Sequence, residues 1–246
     1  MSPHPILPLP PAPADDWALF LDVDGCLLEF ADTPDAVVVP EGLPAILERL
    51  RERLGGALAL VSGRGLKSLD TIFAPLRLTA SGLHGLERRG HDGEVRAPEP
   101  PPGFDGLLDE ARAVAAAYPG AVIEDKGVNI GLHWRRAPAA ADALRGFAEA
   151  ALERLPGYRL QPGDHVLELR PGGSDKGTAI SAFLQEAPFA GRRPVFAGDD
   201  LTDEHGFVVV NAQEGMSILV GDRADTVATH ALADPRAVYA WLASGA

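Results

Sequence analysis

Cysteine is nearly absent from this chain: Cys26 is the single one in 246 residues. No intramolecular disulfide can form, which fits a reducing compartment. Positive charge is scarce as well. Lys and Arg number 22 against 35 Asp and Glu, a formal net charge of −13. A surface that negative repels phosphodiester backbones and anionic lipid, so neither nucleic acid nor a membrane surface is expected as a partner. An anionic ligand would need locally placed cations to offset the global field. Long apolar runs are missing too, and none approaches the ~20 residues that a spanning helix requires. The opening MSPHPILPLPPAPADD has no basic stretch ahead of an apolar one, so a secretory leader is not expected. Residues 1–16 read instead as a flexible, polyproline-like tail. The expectation is a cytoplasmic protein working as a monomer.

What is present is an ordinary globular mixture, 46% hydrophobic and 23% charged, of a length that suits one large domain or two modest ones. Strand-like runs at Ala18–Leu21, Ala57–Val61, Arg77–Ala80, Pro194–Ala197 and Ser217–Val220 alternate with helical runs at Leu43–Leu54, Leu66–Phe73, Thr178–Gln185 and Pro235–Ser244. Leu86–Val95 reads as a hairpin turning at His91-Asp92-Gly93. Such alternation predicts a parallel sheet with helices on both faces. The middle differs. Between the breakers Glu99–Gly103 and Pro171–Gly173 the order is helix (Phe104–Tyr118), strands (Ala121–Glu124, Val128–Trp134), helix (Ala139–Arg154), strands (Tyr158–Gln161, His165–Arg170). That order predicts two helices on a small antiparallel sheet, a second domain over 101–171 inserted into a core made of 17–100 and 172–246.

Four strand ends carry polar residues suited to chemistry. In WALFLDVDGC an apolar strand runs into Asp22, Asp24 and Gly25; by itself this is also a strand-to-turn junction with an Asx cap. LVSGRG ends a second strand in Ser62 and Gly63, where Ser62 can offer its O–H and backbone N–H to a phosphate oxygen, or can cap the helix starting near Leu66. GGSDKGTAI places Lys176 at the head of a helix, where ammonium and helix N-terminus together favour anions. VFAGDDLTDE ends a strand in Asp199, Asp200, Asp203 and Glu204, hard oxygen donors suited to Mg²⁺. In an open parallel sheet all four would meet at the C-terminal edge, where ligands bind.

In this order the four segments resemble the motifs of the haloacid dehalogenase (HAD) superfamily of phosphatases. The resemblance implies a Rossmann-like α/β core with a parallel sheet and an inserted α/β cap. It implies that Asp22 attacks phosphorus and forms an aspartyl-phosphate, and that Asp24 protonates the leaving alcohol and then activates water. It further implies Mg²⁺ held by Asp22, the backbone carbonyl of Asp24 and Asp199, phosphoryl oxygens held by Ser62, Gly63 and Lys176, and metal-bound water oriented by Asp203 and Asp200. One departure is Cys26, where the family usually has Thr; a thiol is the weaker donor.

The inserted segment narrows the substrate. IEDKGVNIGLHWR and HVLELRP resemble the cap segments of trehalose-6-phosphate phosphatases, as do SGLHGLE and GDDLTDE. The resemblance implies that Glu124, Lys126 and Glu168 contact a sugar, and charged groups of this kind suit a hydroxyl-rich ligand. Exposed strand-face ion pairs are the plainer explanation of the same residues. The expected activity is Mg²⁺-dependent release of phosphate from trehalose 6-phosphate. Phosphatases of sucrose 6-phosphate or mannosyl-phosphoglycerate, and a catalytically silent phosphosugar sensor, are the alternatives.

Overall fold

The structure, a computed structural model, describes residues 7–31 and 36–246. It divides into two compact units, one built from Met1–Arg96 and Ser174–Ala246, the other from Ala97–Gly173. Among the described residues no helix is long and apolar enough to cross a membrane.

The first unit is an eight-stranded sheet in the order β12-β11-β10-β1-β2-β3-β4-β5. Strand β1 (Trp17–Leu21) is buried at every position, as a strand paired on both edges and covered on both faces must be. It runs parallel to β10 (Arg193–Gly198) on one side and to β2 (Leu58–Val61) on the other. The parallel ladder continues through β11 (Met216–Val220) to β12 (His230–Leu232), and on the other side to β3 (Thr79–Gly82). Strands β4 (Glu87–Arg89) and β5 (Val95–Arg96) close that side antiparallel, as the expected hairpin. Helix α1 (Leu43–Arg53) buries Leu43, Ile46, Leu47 and Leu50, the helical stripe visible in the sequence. Helices α2 (Leu66–Ile72), α5 (Lys176–Phe183), α6 (Glu204–Ala212) and α7 (Pro235–Ala243) complete the unit.

The second unit has its own core. Helices α3 (Phe104–Ala116) and α4 (Ala141–Leu152) pack against an antiparallel sheet of order β6-β7-β9-β8. Its strands are Val122–Asp125, Ile130–His133, Tyr158–Gly163 and Val166–Pro171 for β6 to β9. Ile130, Leu132, Leu167 and Leu169 face the helices. The intervening residues form a polar face.

Two expectations need correction, and one element was not anticipated. The tail is not loose where it is described, and residues 1–6 lie outside the described residues. Pro10 and Pro13 are buried, the Ala231 N–H donates to Pro8 O (3.1 Å), and Trp241 Nε1 donates to Pro11 O (2.7 Å). Prolines leave their carbonyls free to accept, and these are used. The third strand lies at Thr79–Gly82, not Arg77–Ala80: register with β2 places Thr79 against Ala59, and four small residues form a fully buried strand without an apolar run. Finally, the acidic segment continues into helix α6, whose β-branched residues Val208, Val209 and Val210 disguise it.

Candidate active site

Strand order sets the place. From β1 the chain adds β2 and β3 on one side and β10 to β12 on the other, so the switch point lies between β1 and β10. In such sheets the crevice beyond the carboxyl ends at that point binds ligands. Asp22 follows β1 and is tied to its neighbour by its own N–H, which donates to Ala197 O at 2.9 Å. Asp199 follows β10 and Ser62 follows β2.

Three carboxylates and one ammonium converge there. Lys176 Nζ lies 3.0 Å from Asp22 Oδ1 and 2.6 Å from Asp203 Oδ1. All three residues are buried: Lys176 is 2% exposed, Asp22 4% and Asp203 0%. Lys176 is therefore not a solvated surface lysine. It stands at the first position of α5, whose Asp175–Thr178 capping box fixes the helix start. The other Asp203 oxygen, Oδ2, accepts the backbone N–H groups of Asp199 (3.1 Å) and Asp200 (2.9 Å). Asp203 thus shapes the loop that presents Asp199. Asp22, Asp199 and Asp203 can each offer a carboxylate oxygen within 4.8 Å of the others. Asp200 is not brought into this group; it is exposed and its Oδ1 caps the Leu201 N–H at 2.6 Å.

The charges do not balance. Burial, then Asp203, hold the Asp22 carboxyl well above the ordinary range, while Lys176 pulls it down and Asp199 adds to the rise. Burial and Asp203 push Asp199 up to about 7. Burial opposes the charge on Lys176, but Asp203 and Asp22 outweigh it and hold the ammonium above the ordinary lysine value. Asp199 Oδ1 is buried with no hydrogen-bond partner among the described residues. Clustered hard oxygens, one orphaned, with a single ammonium as counter-charge, fit a small divalent cation such as Mg²⁺.

Gly25 explains part of the spacing. Its φ is +77°, and a Cβ there would stand 2.3 Å from Asp199 Oδ2. Only glycine lets the loop after β1 turn this way with the Asp199 carboxylate against it. Cys26 beside it is fully buried, and burial followed by the Asp22 charge raises its thiol. That describes a small core residue, not a reactive one.

The Asp24 side chain turns elsewhere. Both its oxygens accept from Arg64, Nε and Nη2, at 2.7 Å each. Sequence reasoning does not reach Arg64, although its place in SGRG, two residues past Ser62, is the signal. Ser62 is 1% exposed, and its backbone N–H already donates to Ser81 O at 2.9 Å, so only its hydroxyl can serve a ligand. That corrects the expected double donor. Its Oγ accepts the Arg64 N–H at 3.1 Å and does not cap α2, whose first N–H donates to Glu87 Oε2 at 2.8 Å. Gly63 is half-buried and faces the ring of His84, a residue with φ of +52° that the sequence also leaves unmarked.

Glu124, Lys126 and Glu168 share the polar face of the β6–β9 sheet. Lys126 Nζ pairs with Glu168 Oε1 and lies 3.6 Å from Glu124 Oε2. The lysine and Glu168 side chains are only 15% and 12% exposed, so these are not freely solvated ion pairs. Burial works against the Lys126 charge, but Glu168 and Glu124 overcome it. Glu168 Oε2 is buried without a partner among the described residues.

Comparison with known proteins agrees with this geometry. The family model described as trehalose-phosphatase matches residues 20–237. A protein of Sinorhizobium fredii named probable trehalose-phosphate phosphatase is 49% identical over 208 residues, 84% of this chain and 78% of its own. The Escherichia coli trehalose-6-phosphate phosphatase is 44% identical over 227 residues, 92% of this chain and 85% of its own. The solved C-terminal domain of C. albicans trehalose-6-phosphate phosphatase superposes with a TM-score of 0.78 over 98% of both chains at 21% identity, a likeness of fold. The chain belongs to the trehalose-phosphatase family and is a phosphatase with the HAD core and inserted cap.

Proposed function

We propose that this member of the trehalose-phosphatase family hydrolyses trehalose 6-phosphate to trehalose and phosphate, with Mg²⁺, through an aspartyl-phosphate on Asp22. The observation that carries the chemistry is the buried cluster of Asp22, Lys176, Asp203 and Asp199 at the β1/β10 switch point. The substrate is supported by the names of relatives at 44–49% identity.

Mg²⁺ would be held by Asp22, Asp199 and the backbone carbonyl of Asp24, and would supply the positive charge that lets the buried carboxylates stay ionised beside a phosphate dianion. The Asp22 carboxylate attacks phosphorus, and the bond from phosphorus to the sugar oxygen breaks. Lys176 and the Ser62 hydroxyl hold phosphoryl oxygens, with Gly63 leaving room beside them. Asp24 gives its proton to the leaving alcohol. It then takes a proton from the water that attacks the acyl phosphate, and Asp22 leaves as a carboxylate. Asp24 accepting from Arg64 through both oxygens is the ionised form. To act as an acid it must leave that pair and take up a proton from solvent, while the phosphate dianion offers Arg64 an alternative anion. Glu124, Lys126 and Glu168 take the sugar hydroxyls.

The test is a phosphate-release panel of trehalose 6-phosphate, sucrose 6-phosphate and p-nitrophenyl phosphate, each with Mg²⁺ or excess EDTA. Trehalose 6-phosphate should be strongly preferred and EDTA should stop release. Asp22→Asn should lose at least ~10³-fold in kcat and remain folded. Near-normal turnover by that variant, checked for contaminating phosphatase, would rule out the aspartyl-phosphate.

A further inference from the structure

The polar face of the β6–β9 sheet has a regular grid. Register places Glu124, Gly131, Glu168 and Gln161 in one row across the four strands, and Val122, His133, Val166 and Gly163 in the next. Glu124 therefore stands opposite Gly131, and His133 is its diagonal neighbour, at a separation that only long side chains bridge. His133 Nε2 nevertheless lies 2.9 Å from Glu124 Oε2. The reason is residue 131. A Cβ on Gly131 would stand 2.9 Å from His133 Nε2 and 3.2 Å from Glu124 Cβ. With no side chain there, the imidazole leans across the empty place and reaches the carboxylate.

This contact shares one carboxylate oxygen between two cationic or donor groups. Lys126 lies 3.6 Å from the same Glu124 oxygen while pairing closely with Glu168. A free Glu124 could close further onto Lys126, which already pairs with Glu168, and turn both its oxygens to the ammonium. His133 holds Oε2 from the other side. The contacts from His133 and Lys126 both fall on Glu124 Oε2. Glu124 and His133 side chains are 35% and 31% exposed, so a ligand can reach the pair.

We infer that His133 is a positioning residue for sugar recognition: across the gap left by Gly131 it fixes the Glu124 carboxylate through Oε2, so that the other oxygen remains available to sugar hydroxyls. This deepens the proposed function and rests on the reading of Glu124, Lys126 and Glu168 as sugar contacts.

The test measures kcat and KM of the full chain for trehalose 6-phosphate and p-nitrophenyl phosphate. The variants are Glu124→Ala, His133→Ala, His133→Gln, His133→Asn and the double variant Glu124→Ala/His133→Ala. His133→Ala should raise KM for the sugar phosphate about five- to twenty-fold, as loss of one charge-assisted hydrogen bond implies, and leave the aryl phosphate unchanged. The Gln amide reaches where Nε2 stands and should restore most of the loss. The Asn amide reaches only as far as Nδ1 and should not. This Gln–Asn contrast carries the test if the Ala variant fails to fold. The double variant should be no worse than Glu124→Ala alone, because His133 acts through Glu124. Equal losses on both substrates, additive losses in the double variant, or equal behaviour of Gln and Asn would overturn the inference. If Glu124→Ala is selective for the sugar phosphate and the His133 variants are not, His133 alone is misassigned. If Glu124→Ala shows no selectivity, the sugar reading fails and the inference with it.

Discussion

Asp199 carries the clearest pH signature of any single residue here. Its metal-free carboxyl sits at about 7, raised by burial and by Asp203. Between the ordinary carboxylate range and about 7 the folded chain keeps this proton and the unfolded chain does not. Its contribution to stability is therefore present at low pH and is lost as pH rises toward about 7. Mg²⁺ binds the ionised form and should act in the opposite direction. The expected outcome is a rise in Tm on adding Mg²⁺ that is clear at pH 8 and nearly absent at pH 5, and that Asp199→Asn greatly reduces. A Tm response to Mg²⁺ equal at both pH values would exclude Asp199 as the titrating ligand. At this scale the sequence was legible where a residue ends a strand: Asp22, Ser62 and Asp199 follow β1, β2 and β10. Lys176 follows no strand of that sheet, since the strand before it, β9, belongs to the other sheet, and it reaches Asp22 from the head of α5 instead. The sequence was not legible where a side chain is claimed by a distant partner. Arg64 taking Asp24, Ser81 taking the Ser62 N–H, and His133 taking Glu124 all depend on pairings that no local pattern encodes.

Elements with a strong period were easiest to anticipate. The stripe of α1 and the continuous apolar run of β1 announce themselves because burial on one face or on both leaves a pattern in the chain. Strand β3 (Thr79–Gly82) was anticipated two residues too early and helix α6 (Glu204–Ala212) not at all, since tertiary pairing overrode weak or contrary propensity. The segment from Leu7 to Asp16 belongs with these: proline-rich composition signals looseness, yet its carbonyls serve the Trp241 indole and the Ala231 N–H. Removing residues 1–16 should therefore destabilise the protein. The orphaned indole donor and the lost burial of Pro10 and Pro13 should lower Tm by roughly 5–10 °C in a thermal melt. An unchanged Tm would return the segment to the status of a tail.

For the whole molecule the dominant quantity is charge. A chain of net charge −13 needs local cations to bind a phosphate dianion, and Lys176 beside Asp22 and Arg64 beside Asp24 are such cations. Repulsion by the whole surface acts over long distances and is screened by salt, whereas contacts inside the site are not. At fixed Mg²⁺, kcat/KM for trehalose 6-phosphate should rise as NaCl increases from about 10 to about 150 mM, where the screening length shortens to about 8 Å. A fall over that range would mean that local cations govern the approach of substrate. The division into two units follows from the same large-scale reading: breaker clusters flank the insertion, and each unit has its own apolar core.

The position of β1 between β2 and β10 also says when this enzyme comes into being. On the ribosome, Trp17–Leu21 emerges before its partner Leu58–Val61, and its other edge waits for the later Arg193–Gly198. Until those residues are made, the Asp22 N–H lacks Ala197, and neither Asp199 nor Asp203 exists. The contiguous stretch Ala97–Gly173 has all its strands in hand well before that moment. A nascent chain thus holds Asp22 on an unfinished sheet edge until residues 193–203 have been made, and the cluster of carboxylates around Lys176 is complete only then.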